Sequence, residues 1–209
     1  MTTRIKICGL TCAEDVDAAV EAGADALGFV FYPASPRYVD AETAALLIRR
    51  VPPFVLSVGL FVNAVPSEIA AILSRVPLNL LQFHGDETPT ECERWQRPYL
   101  KAVRVKPGVD VSRIAAEFAS ARAVLLDAFT ESYGGGGKTF DWTLIPAGLS
   151  MPIVLSGGLT PENVGAAIRQ VRPLGVDVSS GVEATKGRKD HARMREFVAA
   201  VLQTTISRE

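Results

Sequence analysis

Short runs rich in valine, isoleucine, leucine and phenylalanine recur about every 20 to 30 residues, and this recurrence constrains the fold more than any other feature. Each run is followed by a segment with apolar residues at helical spacing, an alternation that is typical of parallel sheets. Eight runs are predicted to form strands: residues 5–8, 26–31, 56–62, 80–84, 101–105, 124–129, 153–156 and 176–179.

Eight strand–helix units in 209 residues favour a single (β/α)8 barrel, an α/β fold in which residues 1–209 form one catalytic domain. An open doubly wound sheet is the alternative. It often carries a G-x-G-x-x-G fingerprint after its first strand, and the segment CGLTCAED has no such pattern. Within this frame, Gly23 is predicted to end the first helix, and Thr160, which precedes Pro161, is predicted to cap a later one.

Composition and charge narrow the class of protein. The chain is 48% apolar with a net charge of −1, as expected for a globular protein. It contains no apolar run long enough to cross a membrane and begins without a secretory signal pattern. These features predict a cytoplasmic protein with no membrane partner. Charges of both signs are interspersed, so no nucleic-acid partner is expected. The spacing of Cys8, Cys12 and Cys92 suggests neither a disulfide framework nor a zinc site. The expected partner is a small molecule.

Several polar residues fall on strand positions that face the barrel interior. If the isoleucines of the first strand face the helices, then Lys6 and Cys8 point inward, with Cys8 nearer the C-terminal rim. The same alternation places His84, Asp127 and Asp177 on the inner side of their strands. Because the C-terminal rim is the catalytic face of this fold, these groups are candidates for chemistry.

Each candidate also has a structural interpretation. Cys8 could be a small core filler, since free cysteine is among the most buried residue types. Lys6 is predicted to be a structural ion-pair partner, with Asp177 as the expected carboxylate, because a buried charge needs a counter-charge. His84 could either bond a backbone carbonyl or contact a substrate. Asp127 is the strongest single candidate, because a carboxylate is costly to bury for packing alone.

Two glycine-rich turns follow the last two predicted strands, at residues 156–164 and 179–187. Glycine lets backbone N–H groups approach an anion, so the pair suits a phosphate. A third glycine run, at 133–142, is either a surface loop or a lid over the substrate. Arg37 lies in a proline-containing loop, where a pre-positioned guanidinium suits a carboxylate, the alternative being a solvated arginine.

These segments together resemble the phosphoribosylanthranilate isomerase family, barrel enzymes of tryptophan biosynthesis. The resemblance runs from Lys6 to Asp190 and keeps the family's order and spacing. The segments that carry it are KICGLT, FYPASPRYV, VGLFVN, LQFHGDE, LLDAF, GGGGKTFDW, LSGGLTPENV and VDVSSGVE with GRKD. Two positions depart from the family pattern: Gly136 stands where threonine is more common, and Phe83 replaces leucine at a position predicted to pack on the outer face.

The resemblance implies an Amadori rearrangement of an aminoaldose phosphate to an aminoketose, with no metal or organic cofactor. It makes Cys8 the general base, Asp127 the general acid and Arg37 the group that holds the anthranilate carboxylate. Lys6 is then a supporting residue beside Cys8. The remaining expected substrate contacts are His84, Asp177, Gly157, Gly158, Ser180 and Gly181.

Other functions remain as alternatives. A sister phosphosugar barrel is one: the histidine-pathway isomerase performs the same rearrangement but has an aspartate where Cys8 stands, and the indoleglycerol phosphate synthase type relies on a lysine and glutamates. A non-catalytic phosphosugar-binding barrel would keep the glycine turns without needing both Cys8 and Asp127. Both a monomer and a homodimer fit the sequence.

Overall fold

The structure is a computed structural model that describes residues 2–129 and 139–206. Its centre is a closed barrel of eight parallel strands in sequence order, with the first strand paired to the eighth. The strands are β1 Arg4–Cys8, β2 Ala26–Val30, β3 Leu56–Phe61, β4 Leu80–Phe83, β5 Tyr99–Val105, β6 Ala123–Ala128, β7 Ile153–Leu155 and β8 Gly175–Val178. Each overlaps one predicted strand, so the barrel prediction is confirmed.

Seven α-helices are described around the barrel: α1 Ala13–Ala22, α2 Ala41–Ile48, α3 Pro66–Leu73, α4 Pro89–Glu93, α5 Val111–Glu117, α6 Val164–Val171 and α7 His191–Ile206. One connection departs from the expected alternation. Between β6 and β7, the described residues form a short 3-10 helix, Trp142–Leu144, where an α-helix was expected. A two-stranded hairpin that the sequence analysis did not predict, β9 Glu183–Thr185 and β10 Arg188–Lys189, lies between β8 and α7.

The ends of two helices test the predictions made from Gly23 and Thr160. Gly23 ends α1 with φ 98°, a left-handed conformation that favours glycine, as predicted. The predicted cap at Thr160 is wrong, because α6 begins at Val164. The side chain of Asn163 accepts a hydrogen bond from the Thr160 N–H at 2.8 Å and donates to the Gly158 carbonyl at 2.9 Å. These bonds stabilise a turn in place of a first helical turn.

The main apolar core lies between the strands and the helices. Its aromatic part runs along neighbouring strands: the rings of Phe31 and Phe61 stack at 5.4 Å, and Phe83 lies 6.2 Å from Phe61 and 5.8 Å from Tyr99. Phe83 therefore packs in the outer layer, as predicted. Burying a large side chain of this kind contributes about 1.5–3 kcal/mol.

A second, smaller apolar cluster lies apart from the main core and contains Cys8, Val30, Leu60 and Val62. Cys8 and Val30 are at the C-terminal ends of their strands, so this cluster lies at the end of the barrel where the loops converge. The sheet register thus places the thiol at the catalytic face of the fold. None of the described helices is long and apolar enough to span a membrane.

Candidate active site

The Cys8 thiol is buried at the end of β1, and a glycine makes the space for it. Cys8 pairs with Gly28 in the parallel register of β1 and β2. A Cβ atom at Gly28 would lie 2.6 Å from the sulfur, well inside van der Waals contact. All three cysteines of the chain are free thiols. Gly28 is therefore needed for Cys8 to keep its position.

The charges around Cys8 have opposing effects. Burial raises the pKa of the thiol, the positive charges of Lys6 and Lys189 act to lower it, and Asp177 raises it further, so that the pKa stays above its ordinary value. Lys6 donates a hydrogen bond to Asp177 at 2.8 Å, which is the ion pair predicted from the sequence. Burial alone would lower the pKa of Lys6, but the Asp177 carboxylate and Cys8 outweigh it, so that the ammonium stays charged.

Asp177 has a second partner inside the barrel. Its other carboxylate oxygen accepts a hydrogen bond from the Ser156 hydroxyl at 3.2 Å. Ser156 begins the glycine turn after β7, so this bond ties that turn to β8. Sequence reasoning placed Asp177 beside the substrate; in the structure both of its oxygens are engaged by protein groups.

Asp127 lies near the end of β6 and is held by two hydrogen bonds. One carboxylate oxygen accepts from the N–H of Ala128 at 2.8 Å, and the other lies 3.0 Å from Nε2 of His84. Nδ1 of His84 lies 2.9 Å from the amide nitrogen of Gln82. Because that amide nitrogen is a donor, Nδ1 accepts and Nε2 carries the hydrogen that is donated to Asp127.

Sequence reasoning missed Gln82, which lies two residues before His84 in the segment LQFHGDE. Its side chain is fully buried, and among the described residues its amide oxygen has no hydrogen-bond partner. The period-2 alternation that placed His84 on the inner face applies equally to Gln82, so the signal was present. The structure thus forms a chain of three polar groups that ends on Asp127.

Arg37 is buried and makes a two-pronged contact with Glu183. Its Nε donates to one carboxylate oxygen at 2.7 Å and its Nη2 donates to the other at 2.8 Å. The ammonium of Lys189 donates to the same carboxylate at 3.0 Å. Sequence reasoning assigned no role to Glu183 or Lys189, although both lie in quoted segments. The predicted solvated alternative for Arg37 is wrong, because its side chain is only 8% exposed.

The two predicted phosphate turns touch each other. Gly157 and Gly158 have φ angles of 83° and 63°, which favour glycine. A Cβ atom at Gly181 would lie 1.8 Å from the carbonyl oxygen of Leu159, so the turn after β8 packs directly on the turn after β7. Ser180 begins a short 3-10 helix, Ser180–Val182, in the second turn. The four residues predicted to hold a phosphate are thus brought to one place.

The first turn also lies against Asp127. A Cβ atom at Gly157 would be 3.0 Å from a carboxylate oxygen of Asp127 and 2.4 Å from the nitrogen of Ala128. The third glycine run, at 133–142, is predicted to be either a surface loop or a lid, and its residues 133–138, Gly136 among them, lie outside the described part of the chain. The arrangement brings together a thiol, a carboxyl group, a guanidinium and two adjacent glycine turns at one end of a barrel.

Comparison with known proteins identifies the family to which this barrel belongs. A family model described as N-(5'-phosphoribosyl)anthranilate isomerase matches residues 5–200. The chain belongs to this family. Its members are isomerases that convert an aldose to a ketose in tryptophan biosynthesis, and the chain is such an enzyme. The match includes residues of all eight strands and every site residue described above.

Individual relatives agree with this assignment. The chain is 62% identical to the N-(5'-phosphoribosyl)anthranilate isomerase of Dechloromonas aromatica, over 96% of this chain and 97% of that protein. It is 60% identical to the same enzyme of Pseudomonas fluorescens strain Pf0-1, over 95% and 98% of the two chains. A crystal structure of the Thermotoga maritima enzyme superposes with a TM-score of 0.89 at 46% identity, covering 96% of this chain and 98% of that one.

A solved complex bears on the ligand class. The chain superposes, with a TM-score of 0.85 and 43% identity over 96% of this chain and 98% of the other, on a phosphoribosyl anthranilate isomerase in complex with reduced 1-(o-carboxyphenylamino)-1-deoxyribulose 5-phosphate. That ligand is a phosphosugar derivative with an aryl carboxylate. The comparison supports a small phosphosugar as the ligand class of this chain.

Proposed function

We propose that Cys8 and Asp127 carry out the Amadori rearrangement of N-(5-phosphoribosyl)anthranilate to 1-(2-carboxyphenylamino)-1-deoxyribulose 5-phosphate. The observation that carries the proposal is the placement of the two groups. One lies on β1 and the other on β6, both near the C-terminal ends of their strands. The first phosphate turn lies beside Asp127, and the second packs on the first. The proposal treats the barrel as the whole catalytic unit.

Asp127 acts first, as the general acid. Its carboxyl group gives a proton to the ribose ring oxygen while the bond between that oxygen and carbon one breaks, and the lone pair of the aryl nitrogen forms a protonated Schiff base with carbon one. The N–H groups of Ala128 and His84 fix the plane of the carboxyl group. Each oxygen of the carboxyl group keeps a second lone pair, and the proton that is transferred is bound at one of these two positions.

Cys8 acts second, as the general base. The protonated Schiff base withdraws electrons and acidifies the proton on carbon two, which the thiolate removes to give an enolamine. The enolamine then tautomerises to the ketone. Burial disfavours the thiolate, while Lys6 and the substrate cation favour it. The thiolate is thus favoured when the cation that needs the base is present.

Arg37 and the glycine turns hold the two ends of the substrate. The guanidinium of Arg37 binds the anthranilate carboxylate, and the backbone around Gly157, Gly158, Ser180 and Gly181 binds the 5-phosphate. A relative from Thermotoga maritima is described as dimeric. For this chain, a monomeric or homodimeric state and a cytoplasmic location stay predictions.

The test is a fluorescence assay of the purified protein with freshly prepared phosphoribosylanthranilate, which follows the loss of anthranilate fluorescence. We expect turnover by the wild type and losses of at least about a hundredfold in Cys8→Ser and in Asp127→Asn, the usual scale for removing a general acid or base.

Cys12→Ser is the matched control for the thiol. It makes the same chemical change four residues away, at the N-cap of α1, where Cys12 makes no side-chain capping bond and serine is a preferred residue. We expect wild-type activity from it. Full activity in Cys8→Ser would contradict the assignment of the base.

A further inference from the structure

Arg37 is joined to two further charged side chains, Glu183 and Lys189, to which the proposed reaction assigns no part. Arg37 and Glu183 share two hydrogen bonds, of 2.7 and 2.8 Å, and Lys189 donates to the same carboxylate at 3.0 Å. The three side chains are 8%, 5% and 0% exposed. We call this cluster the Arg37–Glu183–Lys189 bridge. Three buried charged side chains are costly to keep, so the bridge needs an explanation.

The bridge is fixed from several directions. A Cβ atom at Gly9 would lie 2.6 Å from Cδ of Arg37, so the arginine stem lies directly on the backbone that follows Cys8. On the other side, a Cβ atom at Gly187 would lie 2.7 Å from the carbonyl oxygen of Pro36. The loop that carries Arg37 is therefore held between the end of β1 and the β9–β10 hairpin that carries Glu183 and Lys189.

Lys189 has the contacts of an ammonium group. Its Nζ donates to the carbonyl oxygen of Ser179 at 3.1 Å, to the hydroxyl of Ser179 at 3.4 Å and to Glu183 at 3.0 Å, which accounts for its three N–H donors. Burial raises the pKa of Glu183, but the hydrogen bond from Arg37 and the charge of Lys189 outweigh it, so that the pKa is lowered. Burial lowers the pKa of Lys189, and the charge of Glu183 and its hydrogen bond oppose that lowering. With Lys189 protonated, as its three donated hydrogen bonds require, two cations and one carboxylate leave one positive charge in excess.

The geometry points to Glu183 as a positioning residue that fixes the guanidinium of Arg37 for a substrate carboxylate. The positive charge of Lys189 balances the negative charge of Glu183, so that the charge of Arg37 still attracts that carboxylate. This inference rests on the proposed function. Glu183 occupies the edge of the guanidinium formed by Nε and Nη2, which leaves the edge formed by Nη1 and Nη2 for the ligand carboxylate. A planar fork held on one edge binds a carboxylate on the other with little further loss of freedom.

The test compares two ligands that differ only in the aryl carboxylate. One is reduced 1-(2-carboxyphenylamino)-1-deoxyribulose 5-phosphate, and the other is its phenylamino counterpart without the carboxylate. For Glu183→Gln we expect about a tenfold loss of affinity for the first ligand and less than about a twofold loss for the second, because only the first uses Arg37. In turnover, KM should rise about tenfold while kcat stays within about twofold. Equal losses on both ligands, or no loss on either, would overturn the inference.

Glu87→Gln is the matched control, because it makes the same change in another buried ion pair. Glu87 accepts from Lys101 at 2.8 Å, and its side chain is 7% exposed. We expect this variant to lower the unfolding midpoint but to keep the preference for the carboxylate ligand. Selective loss of the carboxylate ligand in Glu87→Gln would contradict a role specific to Glu183. If Glu183→Gln does not fold, then Glu183→Asp, which retracts the carboxylate, should show the same selective loss.

The double variant Arg37→Ala/Glu183→Gln separates this inference from the proposed function. If Glu183 acts through Arg37, adding Glu183→Gln to Arg37→Ala costs no further affinity for the carboxylate ligand. A further loss in the double variant would overturn the positioning role. A normal carboxylate preference in Arg37→Ala alone would instead overturn the proposed role of Arg37, and the inference with it. The binding measurements need no turnover, so absence of wild-type activity would count against the proposed function alone.

Discussion

The thiol side and the acid side of the barrel end hold their reactive groups by opposite means. Cys8 lies in a small apolar cluster, where burial opposes the charged form and two lysine ammonium groups favour it from the side. Asp127 is held directly, by hydrogen bonds from a backbone N–H and from a histidine ring that is itself held by Gln82. One group is controlled by its electrostatic surroundings and the other by orientation.

The difference fits the roles that we propose for the two groups. The base must take a proton only when the substrate carries a positive charge beside it, and a buried thiol that is weakly ionised until then meets that need. The acid must deliver its proton to one atom of the ring, and a carboxyl group fixed at both oxygens meets that need. Variants that add atoms beside Cys8 should therefore lower kcat by displacing the thiol. Variants that remove a hydrogen-bond donor should lower kcat by releasing the carboxyl group of Asp127.

Among variants that keep both reactive groups, the largest expected effect comes from Gly28→Ala. The added methyl group would lie 2.6 Å from the sulfur of Cys8 and would displace it. A displacement of about 1 Å at a reacting group can cost about a hundredfold in rate, so we expect kcat to fall by about that factor in a variant that is still folded by circular dichroism. The fluorescence assay measures kcat.

Gly59→Ala is the matched control for Gly28→Ala. Gly59 is a glycine on the neighbouring strand, and its added Cβ would meet a methyl carbon of Leu78 at 2.4 Å and not a reacting group. We expect a lower unfolding midpoint with kcat within about twofold of the wild type. Wild-type kcat in folded Gly28→Ala would mean that the position of the thiol does not limit the reaction.

A smaller effect is expected from His84→Ala, which removes one donor from Asp127. A hydrogen bond to a charged group contributes about 1.5–3 kcal/mol. Because the N–H of Ala128 still holds Asp127, we expect a loss at the lower end of that range, with kcat falling about tenfold and KM changing less than about twofold. His84→Gln, whose amide nitrogen occupies nearly the same place as Nε2, should recover most of the loss. A raised KM with unchanged kcat in His84→Ala would instead support the substrate contact predicted from the sequence.

Most of the fold followed from the sequence because periodicity is local. Eight apolar runs predicted the eight strands, and the period of two along β1 was enough to place Lys6 and Cys8 on the inner face. Two wrong or missing predictions have different causes: a side chain that competes with the helix pattern, and strands too short to show a pattern. Asn163 satisfies the backbone near Thr160 and delays α6, and the β9–β10 hairpin is too short to show a strand pattern.

The site was predictable to the extent that it lies on strands. Lys6 and Asp177 stand directly opposite each other in the register of β1 and β8, so their pairing follows from the topology. The pairing of Arg37 with Glu183 joins residues 146 positions apart, one on a loop and the other on the β9–β10 hairpin, and no local period relates them. Gln82 is different, because its inward position followed from the same alternation that identified His84.

The most direct test of the account is the isotope effect on kcat/KM with substrate deuterated at carbon two of the ribose. In the proposed mechanism, Cys8 takes that proton and Asp127 opens the ring. Slowing one step makes that step limiting. We predict a larger isotope effect in Cys8→Ser than in the wild type, and an effect near one in Asp127→Asn. Equal effects in the two variants, or the reverse order, would contradict this division of roles.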